Sequence, residues 1–230
     1  MMTSEMIFDK KYIVLIGNYG SGKTEIAIHL AKAFSGTGKT TLVDLDIVNP
    51  YFRSGEKANE LQAAGIRVLM PTFALTTVDI PALPAEIQSV FESDAERVIF
   101  DVGGDDTGAA ALGRYFPSFA ANQDQLTIAM VVNCMRPLTG TPEDIIDLAL
   151  RIQNRGRLPI NMIINNTNLA DRTTPEMLIN GAETVRQCAE KLGIEKLIHA
   201  GTEKVIAEAA LPEPMLRIRR EMVPEWMVEE

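Results

Sequence analysis

The stretch Gly17-Asn18-Tyr19-Gly20-Ser21-Gly22-Lys23-Thr24 sets three glycines, a lysine and a threonine at the spacing G-x-x-x-x-G-K-[ST]. A backbone that wraps a polyphosphate must turn its N–H groups inward, and Gly17, Gly20 and Gly22 permit the dihedrals and the close approach. Lys23 then brings a point charge to the β- and γ-phosphates, and the Thr24 hydroxyl a ligand for Mg²⁺. The nucleotide-binding stretch runs from Gly17 to Glu25, where a helix begins and turns its N-terminal dipole to the anion. A glycine-rich turn before a helix would explain the glycines but not Lys-Thr at this offset.

Acids stand where apolar runs end. Val98-Ile99-Phe100-Asp101 has the form of a strand that delivers an aspartate to Mg²⁺ through water. Gly103 and Gly104 follow, and the bare backbone of Gly104 can offer its N–H to a γ-phosphate. Asp105 and Asp106 come next. In Thr41-Leu42-Val43-Asp44-Leu45-Asp46 two carboxylates lie two residues apart and so point to one side of a strand. That pairing suits a site holding a divalent cation and an attacking water. Lys23 is therefore a candidate catalytic residue and Thr24 and Asp101 are candidate metal ligands, with Asp44 and Asp46 facing the same site.

The elements that must carry these residues alternate between short apolar runs and longer amphipathic ones. Strands are predicted at Tyr12–Ile16, Thr41–Leu45, Ile66–Met70, Val98–Asp101, Leu126–Val132, Ile160–Asn165 and, last, Leu197–Ala200. Leu126–Val132 is almost wholly apolar, as befits a strand buried on both faces. Helices are predicted at Lys23–Phe34, at about Ala85–Phe91, and at Ala109–Ala121 with a break at Pro117. Thr141-Pro142 and Thr174-Pro175 open two more, closed by Gly156 and Gly193. Such alternation implies parallel pairing with right-handed crossovers: an α/β, doubly wound, mainly parallel sheet flanked by helices in three layers, α/β/α. One domain over residues 1–230 is expected, with residues 211–230 an irregular tail. The longest loop runs from Pro71 to Pro84.

Composition narrows the field. A chain of 230 residues with 46 % hydrophobic residues can bury a core, and the formal charge of -9 disfavours sequence-independent nucleic-acid binding. The one basic cluster is Arg217, Arg219 and Arg220. Cys134 and Cys188 are far apart with no CxxC, which reads as two reduced thiols, the alternative being one disulfide. No apolar signal core and no membrane-length apolar run is seen, so a cytoplasmic protein is expected. His29 and His199 read as packed histidines. Met215, Leu216, Ile218, Met222, Val223 and Trp226 read as packing the tail on the domain. Arg53 and Arg136 are more simply surface cations than phosphate-contacting fingers.

Taken together, GNYGSGKT, VDLDIVNPYF and VIFDVGGDD, in that order and spacing, resemble the MinD/ParA group of ATPases within the signal-recognition, MinD and BioD (SIMIBI) class, the CobQ/CobB/MinD/ParA nucleotide-binding domain. The resemblance covers roughly residues 11–205. It implies that Asp44 belongs to the magnesium shell, that Asp46 orients or activates the attacking water, and that Asp101–Gly104 and Ile47–Arg53 are switches. Ile164-Asn165-Asn166-Thr167-Asn168-Leu169 falls where related GTPases carry N-K-x-D. Asn168 there removes the charged acceptor for guanine, and Asn165 or Asn166 is left to read the adenine amino edge, so the cofactors implied are ATP and Mg²⁺. Three departures stand out. Asn18 replaces the second lysine that reaches across a sandwich dimer, which leaves a homodimer without that contact. The cysteine pair of cluster-carrying relatives is missing. Pro212, Pro214 and Pro224 interrupt any amphipathic C-terminal helix. The function implied is an ATP-driven switch or accessory ATPase for an unidentified protein partner; the alternatives are a small-molecule kinase or ATP-dependent ligase, or a non-hydrolysing scaffold.

Overall fold

The computed structural model describes residues 3–45, 57–70, 85–104 and 106–222. In chain order these hold α1 (Ser4–Ile7), β1 (Tyr12–Ile16), α2 (Lys23–Ser35), β2 (Thr40–Leu45), α3 (Ala58–Ala63), β3 (Arg67–Leu69), α4 (Ala85–Gln88), β4 (Arg97–Val102), α5 (Asp106–Arg114), α6 (Phe116–Ala121), β5 (Leu126–Val132), α7 (Pro142–Gly156), β6 (Met162–Asn165), α8 (Pro175–Leu192), β7 (Lys196–Gly201), α9 (Glu203–Ala209) and β8 (Met215–Arg217). The strands join in one eight-stranded sheet of order β3-β2-β4-β1-β5-β6-β7-β8. Every pairing in it is parallel.

Burial explains why the strands at the centre of the sheet are apolar throughout. All residues of β1 and of β5 are buried. Tyr12, Val14 and Ile16 face a core built with α5, α6, α7 and α8, while Ile13 and Leu15 face a second core built with α1, α2 and α3. Two covered faces of one sheet make three layers, α/β/α, as the sequence pattern implied. β1 is the switch point: the chain leaves it for β2 on one side and later takes up β5 on the other. Ligands in such sheets bind beyond the carboxyl ends of the strands at this position.

The two capped helices start where Thr and Pro place them. Thr141 Oγ1 accepts from the Asp144 N–H at 3.3 Å and Thr174 Oγ1 from the Met177 N–H at 3.4 Å. Gly193 ends α8 with φ 67°. Elsewhere the structure departs from expectation. Gly156 is the last helical residue of α7, and Arg157 takes the left-handed position instead, at φ 56°. Gly156 packs on α5, where a Cβ would make ordinary contact with the Ala109 carbonyl oxygen, so nothing in its surroundings demands that it end the helix. The break near Pro117 falls at Tyr115, and Pro117 lies in the first turn of α6, where its missing N–H has no helical partner to lose. β7 is not the last strand. Met215–Arg217 adds β8 to the sheet edge, and Leu216 and Ile218 are buried against the second core. Three residues following Pro212 and Pro214 carry too little alternation to read as a strand. Among the described residues, no helix is long and apolar enough to cross a membrane.

Candidate functional site

The loop between β1 and α2 is shaped by glycine where a side chain cannot fit. Gly22 caps α2 at φ 93°, and a Cβ on it would lie 2.3 Å from Asn166 Nδ2. That amide instead donates to the Ser21 carbonyl at 2.8 Å and ties the loop to the end of β6. Across the loop, a Cβ on Gly104 would lie 2.5 Å from the Tyr19 nitrogen, so the segment after β4 presses on the phosphate loop through bare backbone. Lys23 is buried, and its Nζ donates to the carbonyls of Gly17 at 3.1 Å and Asn18 at 2.9 Å. The ammonium is thereby held on the loop's own carbonyls, beside the cavity that Lys23 lines. Asn18 is spent inside the chain: its Nδ2 donates to the Pro137 carbonyl at 2.7 Å, and its Oδ1 accepts from the Tyr19 N–H at 2.8 Å. Arg136 Nε donates to the Gly20 carbonyl at 3.2 Å, so Arg136 braces the loop.

Asp44 and Asp101 are neighbours in register on β2 and β4, each 1 % exposed. Two carboxylates buried side by side repel each other unless a cation lies near or one of them takes up a proton. Among the described residues, no three His, Cys, Asp or Glu side chains converge on a metal position. That donor set fits Mg²⁺, which takes one or two carboxylates and fills the rest of its octahedron with phosphate oxygens, a hydroxyl such as that of Thr24, and water. Asp46, Arg53 and the segment Ile47–Arg53 lie outside the described residues, as do Asp105 and the loop Pro71–Pro84.

From the phosphate loop a cavity of about 510 Å³ extends along the sheet's carboxyl edge. Gly22, Lys23, Thr24 and Glu25 form the end of it at the start of α2, and Tyr19, Gly20 and Arg136 its rim. Asn166, Thr167 and Asn168 after β6 form one wall, Ala200, Gly201 and Thr202 at the end of β7 the floor, and Ile218, Arg220 and Met222 from the tail the other wall. Glu25 holds that tail: its carboxylate accepts the N–H groups of Glu221 and Met222. Burial raises the Glu25 pKa, and those two N–H groups partly restore it. Lys32 pairs with Glu221 at 2.6 Å, and Arg220 with Asp171 on the opposite wall. Two of the three arginines in the basic cluster are therefore matched by acids, since Arg217 pairs with Glu203 at 2.6 Å.

The structure thus brings Tyr19, Gly20, Gly22, Lys23, Thr24, Glu25 and Asn166 together around the cavity, while Gly17, Asn18 and Ser21 belong to the same loop and Gly104 lies against it without lining the cavity. Asn165 is different. It is wholly buried, and its amide is bonded to Leu178, Thr167 and His199 rather than lining the cavity. Among the cavity residues that sequence reading passed over are Thr202, Gly201, Val205, Ile218 and Met222. The available signal was a Gly-Thr pair straight after a strand, at the edge where ligands bind. Cys134 and Cys188 are free thiols; Cys188 is buried, which pushes its pKa up to about 11. His29 is held below the ordinary histidine value by burial.

No family model matches the chain, and no curated protein matches it. Solved structures do. The signal recognition particle 54 kDa protein of Aeropyrum pernix K1, in complex with GDP, aligns with TM-score 0.52 and 24% identity over 83% of this chain and 41% of that one. Cell division protein FtsY of Thermotoga maritima aligns with TM-score 0.54 and 19% identity over 85% of this chain and 63% of that one. A nucleotide-binding protein of Archaeoglobus fulgidus, in complex with ADP, aligns with TM-score 0.50 and 13% identity over 94% of this chain and 90% of that one. This chain therefore spans less than two thirds of the length of the first two. At such identities the likeness is one of fold, and that fold is the three-layer α/β/α sheet of the P-loop NTPases.

Proposed function

We propose that the chain binds Mg²⁺–ATP in this cavity and hydrolyses it, working as a nucleotide-driven switch or accessory ATPase for a partner protein. The observation that carries the reading is the continuity of the cavity. It starts at the N-terminus of α2 beside Lys23 and Thr24 and runs on between amide-bearing and apolar walls large enough for a nucleoside. Phosphates would lie on the loop amides and Lys23. Thr24, Asp101 and Asp44 would hold the Mg²⁺, whose charge neutralises the phosphate oxygens. Asp46 would orient the attacking water, and Gly104 would report the γ-phosphate through its contact with Tyr19.

The side chains favour adenine. Guanine presents a pair of donors that a carboxylate accepts best. Of the described residues lining the cavity the one acid is Glu25, and its carboxylate already accepts from the tail. Asn166 and Asn168 each spend one amide hydrogen within the chain, on the Ser21 and Asn166 carbonyls, and retain a second. An amide supplies the donor and the acceptor that the adenine edge complements. The Aeropyrum pernix protein was solved with GDP and the Archaeoglobus fulgidus protein with ADP, so fold does not choose the base and these side chains must.

A protein partner is supported by the rim. Tyr19, Met135 and Leu138 are 60 %, 42 % and 68 % exposed, and the Asn18–Pro137 bond gathers their two loops at the phosphate end. A surface of this kind feels nucleotide state directly. The test is competition of Mg²⁺–ATP against Mg²⁺–GTP for a fluorescent nucleotide, followed by turnover of an Asp46→Asn variant. ATP should bind the more tightly, and the variant should bind ATP but not hydrolyse it. Tighter GTP binding would overturn the base assignment, and undiminished turnover the role of Asp46.

A further inference from the structure

Behind the Asn166–Asn168 wall lies a chain of hydrogen bonds whose directions are all determined. Asn165 Nδ2 donates to the Leu178 carbonyl at 3.0 Å, and Asn165 Oδ1 accepts from the Thr167 N–H at 3.2 Å and the Thr167 hydroxyl at 2.7 Å. A backbone carbonyl can only accept and a backbone N–H can only donate, so the amide cannot be turned over. The second hydrogen on the same Nδ2 faces His199 Nδ1 at 3.1 Å. That ring nitrogen must accept. The ring proton is therefore on Nε2, which donates to Glu213 Oε2 at 3.0 Å. Glu213 is gripped in turn by Arg186, through Nε at 2.5 Å and Nη2 at 2.9 Å. At the other end, the Thr167 hydroxyl accepts from the Cys134 N–H at 3.2 Å, and Cys134 opens the loop whose Arg136 and Pro137 touch the phosphate loop. A Cβ on Gly181 of α8 would lie 2.2 Å from Thr167 Oγ1, so α8 is cut back at that point to let the chain pass.

We propose that His199 is a positioning residue for the cavity: neutral, with its proton on Nε2, it orients Asn165, and Asn165 sets the Asn166–Asn168 wall that faces the base. This rests on the reading of that cavity as the base pocket. Asn165 spends both amide hydrogens and both lone pairs on the arrangement, which is why it is absent from the cavity lining itself. Protonation of His199 would set one N–H against another. The charged groups that face the ring are Glu213, before β8, which favours the imidazolium, and Arg186 on α8 behind it, which opposes it and is itself paired with Glu183. Burial acts with Arg186, and the net effect holds the ring below the ordinary histidine value.

The first test uses the unmodified chain. Nitrogen-15 NMR of the His199 ring at neutral pH should show a protonated Nε2 and a bare Nδ1; a protonated Nδ1 would overturn the proposal whether or not nucleotide binds. The second test separates the two ring nitrogens. His199→Asn keeps an acceptor near the Nδ1 position, whereas His199→Gln places its amide at the Nε2 end and leaves Asn165 without its acceptor. Loss of one buried partner corresponds to about five- to tenfold. His199→Gln should weaken ATP binding by about that much, leave inorganic tripolyphosphate binding unchanged, and speed hydrogen exchange at the Thr167 amide. His199→Asn should stay within about twofold of the parent on the same scale. Equal losses in the two variants, or unchanged Thr167 exchange in His199→Gln, would overturn the positioning role. If the parent chain binds no nucleotide, the nucleotide reading falls alone, and the tautomer and the Thr167 exchange still decide this one.

Discussion

The two ends of the cavity are made of different materials. The proposed phosphate end is mostly backbone: glycines, the start of α2 and one ammonium group, in one contiguous stretch from Gly17. The proposed base end is side chain: amides from the end of β6, a threonine after β7, and aliphatic residues from the tail, drawn from three separate segments between residues 166 and 222. Backbone amides recognise charge and geometry and are indifferent to what is attached to the phosphates. Side-chain amides and apolar walls recognise the attachment. Affinity should therefore reside mostly at the first end and discrimination at the second.

Lys23→Ala strikes the first end and should have the largest effect. It removes a buried cation that makes charge-assisted contacts, each worth about 1.5–3 kcal/mol. ATP binding should fall by about a hundredfold or more on that basis. Inorganic tripolyphosphate should lose as much, because the lysine contacts phosphate and not base. Isothermal titration with both ligands reads the result. A loss confined to ATP would break the division of labour between the two ends.

Thr202→Trp strikes the second end. Thr202 lines the cavity and makes no side-chain capping bond to α9, so an indole there fills base space without removing a cap. ATP should weaken by about tenfold or more, because the indole takes up much more of the pocket than the single methylene that already costs about 1–3 kcal/mol, while tripolyphosphate is unaffected. Equal weakening of both ligands would show that the two ends are not separable. Of the pair, this variant sharpens the comparison most, since it leaves every residue of the phosphate loop in place.

The same difference of materials decides what could be read from sequence. The phosphate loop is contiguous, so type and spacing declare it. β1 and β5 are apolar throughout because both of their faces are covered, and that too is a local pattern. Asp44 and Asp101 end separate strands, yet each carries its own apolar-run-then-acid signature; their pairing in register follows from β2 and β4 being neighbours. The base end has no such signature. Ile218 and Met222 become wall residues only because β8 joins the sheet edge and Glu25 draws in the chain beyond it, and both events depend on sheet order. Asn165 and Asn166 are adjacent and alike in sequence. Side-chain direction alternates along a strand, so one turns to His199 within the protein and the other to Ser21 at the cavity.

The smallest expected effect lies furthest from the phosphates, at the Glu213–Arg186 pair that anchors the His199 chain. The Arg186 guanidinium lowers the Glu213 pKa to about 2 from the ordinary 4.5, with His199 contributing after burial has opposed it. A depressed carboxylate stabilises the fold fully above pH 4.5 and loses that contribution as pH falls toward 2. His199, also depressed, adds stability above its ordinary 6.5 and loses it as pH falls below that value, because the unfolded chain takes up the proton first. Acid therefore weakens both members in sequence, histidine before glutamate. Glu213 is partly solvated, so the pair is screened and worth about 1 kcal/mol. Glu213→Gln should lower the melting temperature by about 2–4 °C at neutral pH, and the gap should close as pH falls from 4.5 toward 2. Melting followed by circular dichroism across that range decides it. A gap that widens with acid would mean that Glu213 is not the charged partner of Arg186 and that the outer end of the hydrogen-bond chain is held in some other way.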